Sequence, residues 1–390
     1  MEIKTSKKAL KTAISLAKKA LAKIVIQEER GHLLFRVEGD KLKVSSTNND
    51  LKALCIVDIE NTGDDNFSFT ADPKILEKLL TKMDIDTVRM EYDSSDLVLK
   101  IYTTATGKSF TSVQSFPTDK MLTFNEDLGD DVKEYPVDRE VLVHTLDYAK
   151  VFLSPIKEDS KQFDFIIFNK GIVFAANGYN KMGFIVFKAY ETMENFKVRK
   201  AVVPFLLSFV DSIKEHEHVV LFETPKEVGV YTQDKSTRYS FLKSNVEPPD
   251  IPTNRIKSEG PFTLVDKDAL IKVLDRLVVS RPTAKGSGIE ISLKGAGEDS
   301  YIDLGLVSNL KVTERFDCAR VNDESPDEVS HVVDYVMFKS ILSSFEAKKQ
   351  VRLHINDESK FYKVYNSGEI NGNKYISAAL GGYSKVINNG

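Results

Sequence analysis

Apolar and polar residues follow two different spacings along this chain. Alternating apolar positions in LLFRVEGDKLKVSS, LVLKIYTT, FDFIIFNKGIVFAAN and IEISLKG predict antiparallel β-strands. In SKKALKTAISLAKKALAK and DPKILEKLLTKM the apolar residues recur three or four positions apart, which predicts amphipathic helices over residues 6–23 and 73–82. Few helices among many strands predict an α+β fold.

The same succession of patterns occurs three times. A helix followed by a strand begins near residues 69, 201 and 331, and the strand residues Val88, Val219 and Val351 lie 131 and then 132 positions apart. The same offsets align two sets of helix residues: Ile75, Leu206 and Phe338, then Leu79, Val210 and Leu342.

Two further markers recur earlier in each repeat. One is a helix and the other is a turn asparagine, a residue that tolerates the left-handed backbone of a turn. The helix pairs are Leu10 and Ile14, Leu142 and Leu146, Leu270 and Leu274, and the asparagines are Asn48, Asn177 and Asn309.

These markers predict three similar domains, each with two helices and antiparallel sheets. Their predicted bounds are 1–125, 126–254 and 255–390, the last with a C-terminal tail. Proline, glycine and acidic residues gather at about 121–134 and 244–261, which we interpret as linkers. The length of 390 residues suits two or three domains of about 100–200 residues each.

Composition narrows the class of protein. With 42% hydrophobic and 29% charged residues, the chain resembles ordinary globular proteins. No stretch approaches the roughly 18 apolar residues of a membrane helix, and the N-terminus lacks a secretory pattern, so we expect a cytoplasmic protein with no membrane partner. Cys55 and Cys318 form no paired motif and are expected to be two reduced core thiols.

The charge pattern raises the question of a nucleic-acid partner. The net charge is −4, yet the first helix carries several lysines and no acidic residue. A basic lining on an acidic chain is typical of a surface that faces phosphates, although lysine-rich helices also occur as plain solvated faces. The candidate DNA-facing residues are Lys8, Lys11, Lys18, Lys19, Lys74, Lys78, Lys82, Lys272, Arg276 and Lys339.

Two observations limit this interpretation. The helices of the second repeat carry Asp138, Glu140, Asp147 and Asp211, which weakens the basic pattern there. No helix-turn-helix, zinc finger or RNA-binding motif is present, so any contact with DNA is expected to be independent of base sequence.

Repeats with open sheet edges can join edge to edge, and head-to-tail contacts close into rings when the rotation allows it. Three repeats would then form an arc that a second copy completes. Such an arc and its second copy would make a ring of six domains, whereas three repeats that close alone would leave a monomer.

Several segments together resemble one family. MEIKTSKKALKTAI, GDKLKVSSTNNDLKA, FSFTADPKILEKLLTKM, AANGYNKMG and SNVEPPDIP, with the Phe116–Pro117 pair, resemble the bacterial-type DNA polymerase III beta subunit, the sliding clamp. The resemblance covers nearly the whole chain and rests on the order of the segments rather than on one motif.

The resemblance implies a function without catalysis. Members of this family are head-to-tail homodimers whose helices line a hole around double-stranded DNA, and they tether the replicative DNA polymerase as processivity factors. A clamp loader and the polymerase dock short peptides between the second and third domains. Carried over by position, that pocket comprises Phe163, Ala176, Gly178, Tyr179, Met182, Pro249, Thr253, Ile376, Ala378 and Leu380. Plain core packing at a domain junction is the alternative for these residues.

The chain departs from the family at this pocket. Its end reads KYISAALGGYSKVINNG where the family has a strand of Met-Pro-Met-Arg type, and Tyr179 and Asn180 replace a basic pair. Such departures suit a divergent or phage-encoded member with different partner peptides. They also favour a second hypothesis, a clamp-like interaction scaffold or regulator without a processivity role.

A third hypothesis is an enzyme that uses the segment Glu215-His216-Glu217-His218. A metal site would need further ligands, and the repeat aligns this segment with the helix-to-strand turn at Met83–Asp86. No nucleophile elbow, P-loop or dinucleotide-binding motif is present. The sequence therefore predicts neither an enzyme nor a metal or cofactor site.

Overall fold

The computed structural model describes most of the chain. The described residues are 1–21, 31–48, 50–62, 66–104, 106–153, 163–178, 180–247, 249–256, 261–279, 288–307, 313–321, 329–346, 350–355 and 361–384. They form two compact units, the first comprising Met1–Arg139 and Pro204–Ser244 and the second Glu140–Val203 and Asn245–Gly390.

The first repeat contains eight strands and two helices among its described residues. They are β1 Glu2–Ser6, α1 Lys7–Ala17, β2 Leu33–Glu38, β3 Lys41–Thr47, β4 Leu51–Asn61, β5 Phe67–Ala71, α2 Pro73–Lys82, β6 Thr87–Asp93, β7 Val98–Tyr102 and β8 Phe110–Gln114.

The second repeat has the same succession of elements. They are β9 Lys133–Asp138, α3 Arg139–Lys150, β10 Phe165–Asn169, β11 Ile172–Asn177, β12 Lys181–Phe187, β13 Phe196–Arg199, α4 Val203–Ser212, β14 His218–Glu223, β15 Glu227–Thr232 and β16 Thr237–Leu242.

The third repeat follows this order with one additional short strand, β21. Its elements are β17 Phe262–Asp266, α5 Lys267–Val279, β18 Gly288–Lys294, β19 Tyr301–Leu306, β20 Thr313–Asp317, β21 Ala319–Val321, β22 Val329–Asp334, α6 Tyr335–Ser343, β23 Gln350–His354, β24 Phe361–Ile370 and β25 Asn373–Gly382. The predicted α+β fold with three similar repeats of two helices and antiparallel strands is confirmed.

One sheet of twelve strands organises the first unit. Its main path runs β8-β7-β6-β1-β4-β16-β15-β14-β9, and β3 links β2 and β5 to β4. The antiparallel pairing of β4 with β16, from Leu51–Phe241 to Cys55–Thr237, joins the fourth strand of the first repeat to the last strand of the second.

The second unit contains sheets of nine and four strands. The larger runs β13-β10-β11-β12-β25-β24-β23-β17-β21, and the smaller runs β20-β19-β18-β22. Here β12 pairs antiparallel with β25, from Lys181–Gly381 to Phe187–Tyr375, so the fourth strand of the second repeat meets the last strand of the third.

The apolar positions predicted to recur lie in the core, with one shift in register. Leu10 and Ile14, Leu142 and Leu146, and Leu270 and Leu274 are all buried, as are Val88, Val219 and Val351. The alignment of Ile75 and Leu79 was wrong by one residue, because Ile75 is 44% exposed and the buried counterparts of Leu206 and Val210 are Leu76 and Leu80. The turn after α2 spans four residues and the turn after α4 spans five, which explains the shift.

Other local predictions are refined by the structure. The first α-helix ends at Ala17 and continues as a 3-10 turn over Lys18–Ala20. Asn48 does form its predicted turn, accepting hydrogen bonds from the backbone N–H groups of Asp50 and Leu51 at 2.9 and 2.8 Å, whereas Asn309 lies outside the described residues.

The two thiols have different surroundings. Cys55 is buried as predicted, but Cys318 is only half-buried, so its assignment to the core was wrong. Burial raises the pKa of each thiol to about 12. Both thiols therefore stay protonated at neutral pH, which lowers their reactivity.

Candidate functional site

The first candidate surface is formed by α1 and α2, which pack side by side. Ser6 and Asp72 cap their N-termini by accepting hydrogen bonds from Ala9 N and Lys74 N. Lys7 Nζ donates to Met83 O at 3.0 Å beyond the end of α2, while Lys18 Nζ lies 2.6 Å from a Glu77 carboxylate oxygen in the middle of α2. These two contacts make the helices antiparallel neighbours.

Five of the predicted DNA-facing lysines lie on the exposed sides of these helices. The apolar sides, with Leu10 and Ile14 of α1 and Leu76 and Leu80 of α2, are buried. The opposite sides carry what we term the lysine face, which consists of Lys8, Lys11, Lys74, Lys78 and Lys82. Within the part of the chain that the structure describes, none of these five forms an ion pair.

Two other predicted lysines of the first repeat serve packing contacts. Lys18 pairs with Glu77, as above. Lys19 donates to Ser208 Oγ and, at 3.5 Å, to Ser212 Oγ of α4. Burial, with the nearby charge of Lys18, lowers the pKa of Lys19.

In the third repeat the predicted basic residues are mostly neutralised by the chain itself. Arg276 holds both oxygens of Glu314, with nitrogen–oxygen distances of 3.2 and 2.8 Å. This bidentate bond raises the pKa of Arg276 and lowers that of Glu314. Lys339 Nζ lies 2.5 Å from Asp275 Oδ1, a hydrogen bond that raises the lysine pKa. Lys272 is exposed on α5.

The second repeat contributes little positive charge. On α3 the exposed Lys150 pairs with Asp147, and Glu140 is exposed as well. On α4 the exposed charged residue is Asp211. The weaker basic pattern expected of this repeat is therefore present in the structure.

The second candidate surface is one face of the strands β10, β11, β12, β25 and β24. Five of the predicted pocket residues belong to one buried apolar cluster there: Phe163, Ala176, Met182, Ala378 and Leu380. Strand pairing brings them together, since Met182 is the cross-strand partner of both Ala176 and Leu380.

A segment of irregular chain covers this cluster. Val246, Ile251 and Ile256 pack against it, and two further predicted residues flank them, Pro249 half-buried and Thr253 exposed. Arg255 lies over the Phe361 ring at 4.8 Å, and its guanidinium is 3.8 Å from Met182 Sδ. The segment is thus held on the sheet by apolar and cation–π contacts.

Beside the cluster the same sheet face leaves an apolar row exposed to solvent. The row consists of Ile172, Val186 and Ile376, which are cross-strand neighbours on β11, β12 and β25. Ile376 is 51% exposed, and the other two are half-buried. Gly178 has a positive φ of 57° in the turn between β11 and β12, while Tyr179 lies outside the described residues.

The histidine segment lies beside the first helix, near Lys8. His216 is half-buried in the turn after α4 and lines a cavity of about 450 Å³ with Asp234 and Lys8, while His218 is the exposed first residue of β14. No group of three or more potential metal ligands occurs in the part of the chain described above. Among those residues there is also no helix long and apolar enough to cross a membrane.

Solved structures with the same architecture are numerous, whereas no protein-family model and no curated protein matches the chain. The DNA polymerase III subunit beta of Pseudomonas aeruginosa matches with a TM-score of 0.77 at 13% identity, over 99% of this chain and 100% of that one. The DNA polymerase sliding clamp of Caulobacter crescentus gives 0.76 at 15% identity, over 99% and 100%. The DNA polymerase III beta subunit of Thermotoga maritima gives 0.73 at 14%, over 99% of both chains.

The chain has the DNA clamp fold. The fold expected from the sequence resemblance is confirmed over nearly the whole length. At these identities the match concerns architecture, so the roles of individual residues depend on this chain's own geometry.

The two strand junctions inside this clamp fold differ in chemistry. In the first unit, Glu126 of the segment before β9 contacts Arg36 and Lys43 of β2 and β3, and Arg238 of β16 donates to Glu126 O at 2.7 Å. In the second unit the corresponding strands β10–β12 and β25 present the apolar cluster instead. Leu128 and Val132 of the same segment pack on Val220, Phe222 and Tyr231, which form a smaller apolar cluster than that of the second unit.

Several residues of the apolar cluster were not predicted as pocket residues. Phe165, Ile167, Phe174, Phe184 and Tyr365 belong to it together with the carried-over positions. The alternation in FDFIIFNKGIVFAAN predicts which residues share a face of each strand. It does not tell that this sheet continues into β25. The sequence gave no indication that Arg255 contacts this cluster, because its aromatic partner Phe361 is far away in the sequence.

Proposed function

We propose that this chain is a DNA sliding clamp subunit. Two copies close into a ring around double-stranded DNA and tether the replicative DNA polymerase as a processivity factor, with a clamp loader as a further partner. Each copy contributes three domains, 1–125, 126–254 and 255–390, and the protein acts in the cytoplasm on DNA. It works by enclosure and not as an enzyme.

Two unpaired strand edges carry this proposal. Within the chain, the fourth strand of one repeat pairs with the last strand of the next, as β4–β16 and β12–β25. Two strands have no partner of this kind among the described residues. They are β8, the last strand of the first repeat, and β20, the fourth strand of the third. Both are terminal strands of their sheets in the described structure. Antiparallel pairing of β20 with β8 of a second copy repeats the internal junction and gives both of these edge strands a partner.

The side chains at β8 suit such a junction. Phe110 is 50% exposed and packs on Tyr102 with ring centroids 5.8 Å apart. An aromatic residue at a sheet edge contributes a large apolar surface when a partner strand covers it. On β20, Thr313, Arg315 and Asp317 are exposed polar residues, which limits pairing with unintended strands.

The helix surfaces support a sliding contact. Lysine ammonium groups are hydrated point charges on flexible stems, whereas arginine binds phosphate in a fixed bidentate geometry. The exposed residues of the lysine face therefore suit mobile, sequence-independent contacts.

We further propose that partner peptides dock at the apolar row and the adjoining edge of the buried cluster. Concave or grooved apolar surfaces with a few polar groups suit short peptides. The burial of Ala378 and Leu380 leaves Ile376 as the most accessible of the carried-over positions on β25. This arrangement agrees with partner peptides that differ from those of better-known clamps.

The burial of these positions also favours the second candidate function, a clamp-like scaffold without a processivity role. Primer extension on long templates by the protein's own polymerase and loader separates the two. Stimulation of long products supports the processivity factor, and partner binding without stimulation supports the scaffold.

Light scattering over a concentration series tests the ring assembly. We expect a mass of twice 43.8 kDa that persists on dilution. Phe110→Glu on β8 should shift the protein toward the monomer, because it places a charge at the proposed junction. Leu122→Glu, at another exposed apolar residue of the first unit, is the matched control and should stay dimeric. A wild-type monomer at every concentration, or equal masses for both variants, contradicts the assignment of these edges.

A further inference from the structure

The basic residues on the helices differ in whether the chain itself neutralises them. On α5 and α6, Arg276 and Lys339 bind Glu314 and Asp275. On α3, Lys150 binds Asp147. On α1 and α2, the five residues of the lysine face have no ion-pair partner among the residues that the structure describes.

The arrangement on α2 works against the stability of the helix. Lys74, Lys78 and Lys82 are spaced four residues apart, so their side chains lie on one side of the helix over about 12 Å. Like charges at this spacing repel each other and destabilise a helix. Glu77 is already engaged by Lys18 and does not relieve this repulsion.

A polyanion relieves the repulsion. B-DNA carries a phosphate about every 3.4 Å along each strand, about one every 1.7 Å over both, so a lysine row of about 12 Å spans several phosphates. On α1, the antiparallel neighbour of α2, Lys8 and Lys11 are exposed as well. A basic group that is already paired gains less from phosphate, since its own carboxylate must be displaced and stays nearby as a repelling charge.

We infer that duplex DNA contacts the lysine face of the first repeat, and that the paired basic residues of α5 and α6 are packing residues. This inference rests on the proposed clamp function and narrows its DNA-facing residues. In a ring of two copies, DNA then meets two separate basic surfaces instead of a uniform lining.

Lysine acylation followed by mass spectrometry maps the contact. The full chain is treated with an acylating reagent, with and without a blunt duplex oligonucleotide at low salt. The duplex should slow acylation of Lys74, Lys78 and Lys82 several-fold. Lys170 and Lys226, exposed in strand turns, report the unprotected rate. Protection of Lys339, which is paired with Asp275, equal to that of the lysine face overturns the inference.

Paired substitutions give an independent measurement. Lys74→Gln with Lys78→Gln removes two exposed charges four residues apart on α2, and Lys272→Gln with Arg276→Gln does the same on α5. Each lysine–phosphate contact contributes about 0.9 to the steepness of log K against log salt, so the α2 variant should show a slope shallower by about 1.8 per subunit that binds. The slope of the α5 variant should change clearly less. Equal changes in the two variants contradict the inference.

The outcomes remain distinguishable from failure of the clamp function itself. If the protein is retained equally on circular and linear DNA but the lysine face is protected, the contact stands without enclosure. If enclosure holds and protection is spread over all three repeats, enclosure stands and the localised contact is wrong.

Discussion

At the scale of single residues, lysines in this chain have opposite surroundings. Those of the lysine face are exposed, whereas Lys181 at the start of β12 is half-buried. Its Nζ donates to Val151 O at 2.7 Å and Ser340 Oγ at 2.8 Å, and it lies 5.4 Å from the Phe152 ring centroid. Burial lowers the pKa of Lys181 from 10.5 to about 8.

This shift predicts a pH dependence of stability. Between about pH 8 and 10.5, Lys181 is mostly neutral in the folded protein and mostly protonated in the unfolded chain. The contribution of Lys181 to the free energy of unfolding therefore increases with pH in that window. The free energy of unfolding of wild type minus that of Lys181→Met should therefore rise from pH 8 to pH 10.5. Urea denaturation at several pH values measures it, and a flat difference contradicts the prediction.

Two adjacent glycines on β25 provide a packing test. A Cβ atom at Gly381 would lie 2.1 Å from the buried Tyr362 ring, whereas at Gly382 the nearest atom is 3.6 Å away. Gly381→Ala should destabilise the fold by about 1–3 kcal/mol through overpacking, and Gly382→Ala should change it much less. Denaturant titration compares them, and equal effects would show that the strand can move away from Tyr362.

Sequence reasoning succeeded at residue scale where periodicity decides the outcome. Leu10 and Ile14 are buried because their spacing matches one side of a helix. Ile75 was misplaced because a turn one residue shorter shifts the alignment of α2 against α4. The pairing of Arg276 with Glu314 could not be predicted, since it joins a helix to a strand 38 residues away.

At the scale of elements, the predicted helix over 73–82 and most predicted strands were confirmed. The position of α2 follows from local sequence: the spacing of its apolar residues, the N-cap Asp72 and Pro73 at the first helical position. The pairing of β12 with β25 could not be predicted from the sequence, because alternation identifies a strand but not the strand it pairs with. That pairing creates the apolar row.

The apolar row yields a prediction about partners. Ile376→Asp places a charge on the exposed part of β25 and should weaken binding of the replicative polymerase by about tenfold or more, which corresponds to about 1.4 kcal/mol. Because Ile376 is half exposed, the fold should remain stable, and Ile376→Leu is the matched control. Surface-immobilised binding assays measure the affinity, and unchanged binding by Ile376→Asp would place the peptide site elsewhere.

At the scale of the whole molecule, the three repeats and the rule that joins them lead to the proposed ring. The repeat itself was predicted from residues 131 and 132 positions apart. The choice of the two edges proposed to pair required the observed strand order, which shows β8 and β20 at sheet ends. Net charge alone, at −4, gave no indication of a DNA partner, because it sums acidic and basic surfaces and says nothing of one local basic face.

Retention on circular and linear DNA tests enclosure most directly. The protein is assembled on a nicked circular plasmid, separated from free protein by gel filtration, and the plasmid is then cut once. Our account predicts that the protein elutes with the circle and is released after cutting, because a ring slides off free ends. Equal retention before and after cutting would show that the protein binds the DNA surface and does not encircle it.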